Sequence, residues 1–224
     1  MERLIKNRPV CALMGMLAAV YVFYLTADLF FAGLRPFSAI AKYLGVLLCL
    51  ALALLLSRGA RNKLDAELLV FALFLTCAAD LFLLLLDRPV PGLIVFCAVH
   101  LTYIRRYRPA VFRPAAAVTF LLLAGCLAGE LLIPGFPIKY ALSCVYGAFI
   151  VTAAVCGCAS ALPRTNRRLV NAGMALFLLC DIHVALFNAL PASHPYYPFA
   201  AFLMWLFYLP AQVCLALSGY DYAE

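Results

Sequence analysis

The chain has 224 residues, 67% of them hydrophobic and 12% charged, with a mean hydropathy of +1.04. A soluble domain is nearer half apolar and a quarter charged, so these charges are too few to cover a water-facing surface and lipid must cover most of the outside. The formal charge of +7 does not signal nucleic acid, because the basic residues cluster in the breaks between apolar runs. A spanning helix needs about 20 apolar residues, so eight such runs with short loops use up the chain. The fold class is therefore all-α: a polytopic integral membrane bundle forming a single transmembrane domain over 1–224.

The first span is read at 10–33. Arg3, Lys6 and Arg8 precede it as they would a signal peptide. The run is too long for a signal h-region and lacks a small-x-small cleavage site, so it is read as retained. Gly33 to Pro36 separates it from the second span at 36–57, and Ser57 to Lys63 leads to the third at 66–87. Arg88 to Pro91 opens the fourth, at 90–105, which is the shortest. The segment from Arg105 to Pro114 leads to the fifth at 113–133, and Pro134 to Pro137 to the sixth at 138–161. Pro163 to Arg168 precedes the seventh at 169–189, and Pro191 to Pro198 the eighth at 197–218. Proline, glycine and charge mark each break.

Lysine and arginine then set the expected orientation. Arg3, Lys6, Arg8, Arg58, Arg61, Lys63, Arg105, Arg106, Arg108, Arg113, Arg164, Arg167 and Arg168 all fall on one side. Against those thirteen, the other side holds only Arg35, Arg88 and Lys139. Both termini are expected in the cytoplasm of a cell-membrane protein, with Tyr196 and Tyr197 in an outer aromatic belt. A four-plus-four repeat is a further expectation. Ala-Leu-Phe-Leu occurs at 72–75 and 175–178, ahead of Asp80 and Asp181, and Pro36 and Pro137 open the second and sixth spans at the spacing of the two aspartates. The ten cysteines fall inside apolar runs and read as small packing residues rather than disulfides or zinc ligands.

An ionisable group in hydrocarbon costs at least about 2.5–3.5 kcal/mol, so it faces the bundle interior and usually has work to do there. Asp28, Lys42, Asp80, His100 and Asp181 qualify. At about 1.5 Å of rise per residue, the aspartates and Lys42 fall in the outer half of the bilayer and His100 near its middle, as if lining one cavity that opens outward. Spacing of three or four puts Thr76, Cys77 and Asp80 on one helix face, and likewise Phe96, His100 and Tyr103; Trp205, Tyr208 and Gln212; and Ser38 and Lys42. Lys42 has two candidate partners, Asp28 and Asp80, in a purely structural ion pair. His100 also reads as a satisfied core histidine, Asp28 as a wetted span end and Glu130 as interfacial. His183 lies about 200° round the helix from Asp181, so the two do not serve one site. A metal held by Asp80, His100 and His183 finds no support in spacing of the His-x3-His or His-Glu-x2-His kind, and no cofactor is expected.

The third and fourth spans resemble the signature of the YhhN family, the membrane lysoplasmalogenases. The run Ala78-Ala79-Asp80-Leu81-Phe82-Leu83-Leu84 is followed by Gly92, Phe96, His100 and Tyr103. This is similar to the family's aspartate helix and its succeeding Gly, Phe, His, Tyr helix. Ala175-Leu176-Phe177 through Asp181 to Asn188 resembles its second aspartate helix, and Tyr208 through Ala211-Gln212 to Ser218 its closing span. Arg35-Pro36 stands where the family commonly has Lys-Pro. Ala79 replaces a frequent Gly, Cys180 a frequent Ser or Gly, and the loop before Gly92 is short. These departures bear on substrate selectivity more than on fold.

The resemblance implies hydrolysis of the vinyl ether bond of a lysoplasmalogen, a lysolipid substrate, to a fatty aldehyde and a glycerophospho-base. Protonation of the β-carbon gives an oxocarbenium ion that water captures. That needs a protonated acid, a base for water and an anionic surrounding. Two carboxyls in a low-dielectric site supply these, because burial and mutual repulsion keep one protonated and leave the other ionised; glycosidases use the same pairing against a similar cation. Asp80 and Asp181 are the expected catalytic pair. Lys42 and Arg35 would hold the lipid phosphate, and His100, Tyr103, Tyr208, Gln212 and Asp28 the rest of the substrate. No Gly-x-Ser-x-Gly nucleophile motif is present. Buried carboxylates and a repeat suit a proton-coupled transporter equally well, and a non-catalytic lipid-binding protein is a third reading.

Overall fold

The computed structural model describes residues 7–60 and 62–222, with the side chains of Ala32 and Arg35 also outside the description. Among the described residues the chain forms eight long α-helices. They are α1 (Arg8–Phe30), α2 (Arg35–Ser57), α3 (Lys63–Asp80), α4 (Pro89–Tyr107), α5 (Pro109–Leu132), α6 (Ile138–Cys158), α7 (Arg164–Ala189) and α8 (Tyr197–Leu217). Each coincides with one expected span. Prolines open α1, α2, α4, α5 and α8 within their first two positions, where a missing N–H costs nothing. The Asn62 side chain caps α3 by accepting from the Asp65 amide at 3.3 Å, satisfying one free donor of the first turn.

Seven of the eight are long and apolar enough to cross a membrane; α4 is the one that is not. Its 19 residues extend about 28 Å, so the shortfall is in apolarity rather than length. The reason is position. Ten of its residues are buried, His100, Thr102, Tyr103 and Arg106 among them. It packs against α3, α5 and α6, so protein rather than lipid is its solvent. By contrast, α5 presents Phe120, Leu121, Leu131 and Leu132 outward, each more than two-thirds exposed.

Helix neighbours define a closed ring in the order α2, α3, α4, α6, α7, α8 and back to α2. Outside it, α1 lies against α2 and α8, and α5 against α6 and α4. Exchanging α1–α4 for α5–α8 reproduces these pairings, apart from an additional contact of α3 with α8. Glycines set two close approaches. A Cβ on Gly173 of α7 would lie 2.8 Å from Leu215 and 3.1 Å from the Ala211 carbonyl of α8, and one on Gly92 would lie 2.7 Å from Leu83. The second contact falls on a turn of π-helix, Leu81–Leu85, that continues α3 beyond Asp80. After it the chain reverses through Asp87 at a φ of 49°.

Candidate active site

The two aspartates lie on α3 and α7, opposite members of the ring. Asp80 is 3% exposed, and its Oδ2 accepts a hydrogen bond of 2.5 Å from Tyr208 Oη of α8. Asp181 is partly exposed, and its Oδ2 accepts at 2.5 Å from Tyr146 Oη of α6. O–H···O bonds this short are typical of a hydroxyl facing a carboxylate. Each of the two carboxyls is thus held by one phenol. Among the described residues no basic side chain forms an ion pair with either one.

Aromatic rings join the two pairs. Phe177 stands edge-on to Tyr208 at 5.7 Å and lies 5.3 Å from His100, which is 5.2 Å from Tyr146. Phe96 closes the group against Tyr146 and Phe177. Thus α4 and α7, which make no close backbone contact, meet through these side chains. The faces expected from spacing hold: Thr76, Cys77 and Asp80 are all buried on α3, as are Phe96, His100 and Tyr103 on α4.

His100 is fully buried and neither ring nitrogen has a hydrogen-bond partner among the described residues; the same holds for the Tyr103 hydroxyl and for both amide atoms of Gln212. No described side chain or backbone group supplies the partner that the core-histidine reading calls for. His183, by contrast, meets the Leu179 carbonyl at 2.7 Å and Tyr196 Oη at 3.1 Å, away from Asp181 as its spacing predicted.

Lys42 pairs with Asp28 at 2.7 Å, which settles its partner against Asp80. Ser38 Oγ donates to the same carboxylate at 2.6 Å. The Lys42 ammonium also lies 4.4 Å from the Trp205 ring centre, a cation–π contact, and Trp205 stands edge-on to Tyr208 at 5.7 Å. This charged group is thus one aromatic residue away from the partner of Asp80. Arg35 begins α2, and its side chain lies outside the described residues.

Two arrangements escaped the sequence reading. Tyr146 is one; a tyrosine within an apolar span looks like packing, although it shares a helix face with Leu142 and Phe149. Arg106 is the other. Counted among loop charges, it is instead buried, donates to both Asp65 oxygens at 2.8 and 2.9 Å, and reaches Ser218 Oγ and carbonyl at 2.8 and 3.1 Å. Asn166 adds bonds to the Ser218 and Tyr220 carbonyls. Together these tie α3, α4, α7 and α8 at the end that carries the basic loops.

Asp80 itself is buried and held by Tyr208, whose ring stands edge-on to Phe177. Two surface cavities lie at the basic-loop end. One of about 750 Å³ is lined by Leu162, Pro163, Arg164, Arg167 and Arg168, and the other, of about 530 Å³, includes Asp65, Asn166 and Tyr220. Among the described residues no three His, Cys, Asp or Glu side chains converge as a metal set.

A model of the YhhN family matches residues 37–219. The chain belongs to the YhhN family. The YhhN match covers α3, α4, α6, α7 and α8 in full, and so all the residues around the two aspartates; α1, with Asp28, and Arg35 lie before it. No curated protein and no solved structure matches the chain.

Proposed function

We propose that the protein is a membrane hydrolase that cleaves the vinyl ether bond of lysoplasmalogen-type lysolipids. Asp80 and Asp181 are its acid and base. The observation that supports this is a pair of carboxyls, each held by one phenol, without cations, beside the unpartnered polar atoms of His100 and Gln212. One carboxyl protonates the β-carbon of the enol ether, and the other takes a proton from the water that captures the oxocarbenium ion. With no ion pair at either aspartate, the surroundings favour a developing cation over an anion. The resulting hemiacetal collapses to aldehyde and alcohol, so one water is consumed and no net proton is released.

In this reading His100, Tyr103, Tyr208 and Gln212 orient the glycerol, the water or a carboxyl. Lys42, tethered by Asp28, and Arg35 hold the phosphate as point charges. Substrate must part the aromatic packing to reach Asp80, and binding from the lipid side does so. The protein sits in the cell membrane with both termini inside.

The matching neighbours of the two halves favour a second reading. Four-helix halves related this way are parallel repeats of the kind some transporters use, and a proton-coupled transporter of a lipid-like substrate would place its carboxyls here too. Purified protein in detergent, incubated with a panel of lysolipids and assayed for aldehyde by mass spectrometry, separates the readings. Turnover without any gradient identifies the hydrolase. Intact lipid that moves into sealed vesicles identifies the transporter, and intact lipid that stays bound identifies a non-catalytic binder.

A further inference from the structure

Eight buried side-chain atoms lack a hydrogen-bond partner among the described residues, and they are not scattered. They belong to His100, Tyr103, Tyr107, Ser160, Asn171 and Gln212. His100, Tyr103 and Tyr107 follow one another along α4 at spacings of three and four, hence on one face, and the Tyr103 and Tyr107 rings stack at 5.7 Å. Tyr107 ends the helix beside the Arg106–Asp65 pair. A Cβ on Gly157 would lie 3.7 Å from both Asn171 Oδ1 and the Tyr107 ring, so α4, α6 and α7 converge there. Ser160 follows Gly157 by one turn. On α8, Gln212 lies one turn from Tyr208 toward the Arg106 end.

All six residues therefore lie on the basic-loop side of Asp80 and Asp181. Asn171 precedes Asp181 by ten residues, about 15 Å along α7. A buried polar atom without a partner costs about 1–3 kcal/mol, and a line of them is sustained when water fills it. On the outer side of the two aspartates the buried polar groups are partnered among the described residues, as in Lys42–Asp28–Ser38.

We infer that Ser160, Asn171, Tyr107, Tyr103 and His100 line a water path from the basic-loop end of the bundle to the two aspartates. The inference rests on the hydrolase reading only for its purpose: the path brings the one water each turnover consumes, from the side opposite to the lipid. Lipid and water then enter at different ends, and the acyl chain does not have to be displaced for water to arrive.

Radiolytic hydroxyl footprinting of the whole protein in nanodiscs, in water enriched in heavy oxygen, tests it without any assay of turnover. The control is Tyr24, which is 1% exposed and donates to the Trp205 carbonyl at 3.0 Å. Tyr103, Tyr107 and His100 should take up label severalfold faster than Tyr24. Uptake no faster than at Tyr24 would overturn the path. Asn171→Leu should then remove label from Tyr103 and His100. Undiminished label in that variant would overturn entry from the basic-loop end. If the hydrolase reading holds, the same variant lowers kcat severalfold and leaves KM unchanged. If no lysolipid is turned over, the footprint still decides the path.

Discussion

Tyr21 donates its hydroxyl at 2.8 Å to the Leu206 carbonyl, the one that Pro210 leaves without its helical donor. Pro210 lies inside α8, where its missing N–H frees the carbonyl four residues back. Tyr24 reaches the adjacent Trp205 carbonyl, so α1 repairs the broken ladder of α8 one turn from Tyr208. Tyr21→Phe should destabilise the protein by about 1 kcal/mol, the net worth of such a bond. In a Pro210→Ala background the helix regains its own donor, and the loss should shrink. A double-mutant cycle of unfolding in detergent measures the difference.

Asp80→Asn and Asp181→Asn should each reduce lysolipid turnover by about a hundredfold or more, the lower range for general acid–base groups. Both should stay folded, because asparagine keeps an acceptor for Tyr208 or Tyr146. Tyr208→Phe and Tyr146→Phe should produce smaller losses. Initial rates of aldehyde release check all four, and full activity in either asparagine variant would remove that aspartate from the mechanism.

Arg106→Met leaves Asp65 and the Ser218 groups without their donor. Breaking a buried ion pair from one side costs about 3–5 kcal/mol, and Asp65→Leu should act similarly. The double replacement should recover much of that loss. Thermal unfolding of the three variants in one detergent provides the comparison.

Cysteines placed near 90 and 194, in a background freed of native cysteines, should react with an impermeant reagent from outside intact cells. Cysteines at 62 and 166 should not. Strong external labelling at 62 would reverse the orientation.

The polar interior was legible because charge in hydrocarbon is conspicuous: Asp80 and Asp181 stand out in apolar helices and turn out to face the same aromatic cluster. The breaks were legible for a similar reason, since proline and charge rarely occur inside a span. What the sequence hid were partnerships. Arg106 sits among Arg105, Arg108 and Arg113 and looks like one more loop charge, while its carboxylate, Asp65, lies 41 positions away. Lys42 had two aspartates within plausible reach, and only the packing of α1 on α2 selects Asp28. Nothing in Leu81–Leu85 announces a π turn, because its residues suit either helix. Such turns often mark functional sites, and this one follows directly on Asp80.

Hydrolysis in heavy water should be slower than in light water if carbon protonation limits the rate. One deuteron should appear on the second carbon of rapidly trapped aldehyde, and the released glycerol hydroxyl should keep the original ether oxygen. Mass spectrometry of both products checks this, and a second carbon free of deuterium would exclude protonation at carbon.

The limited apolarity of α4 has a consequence for how the chain is made. Left alone during synthesis, α4 would partition into lipid poorly, yet it is joined to the end of the strongly apolar α3 segment by only Leu86–Arg88. Entry of the two as a hairpin would meet this need, with the Arg106–Asp65 pair at the far ends of its arms neutralising both charges. Parity depends on that event. If α4 stayed out of the bilayer, every later helix would insert upside down, and Asp181 would face the membrane leaflet opposite to the one that Asp80 faces.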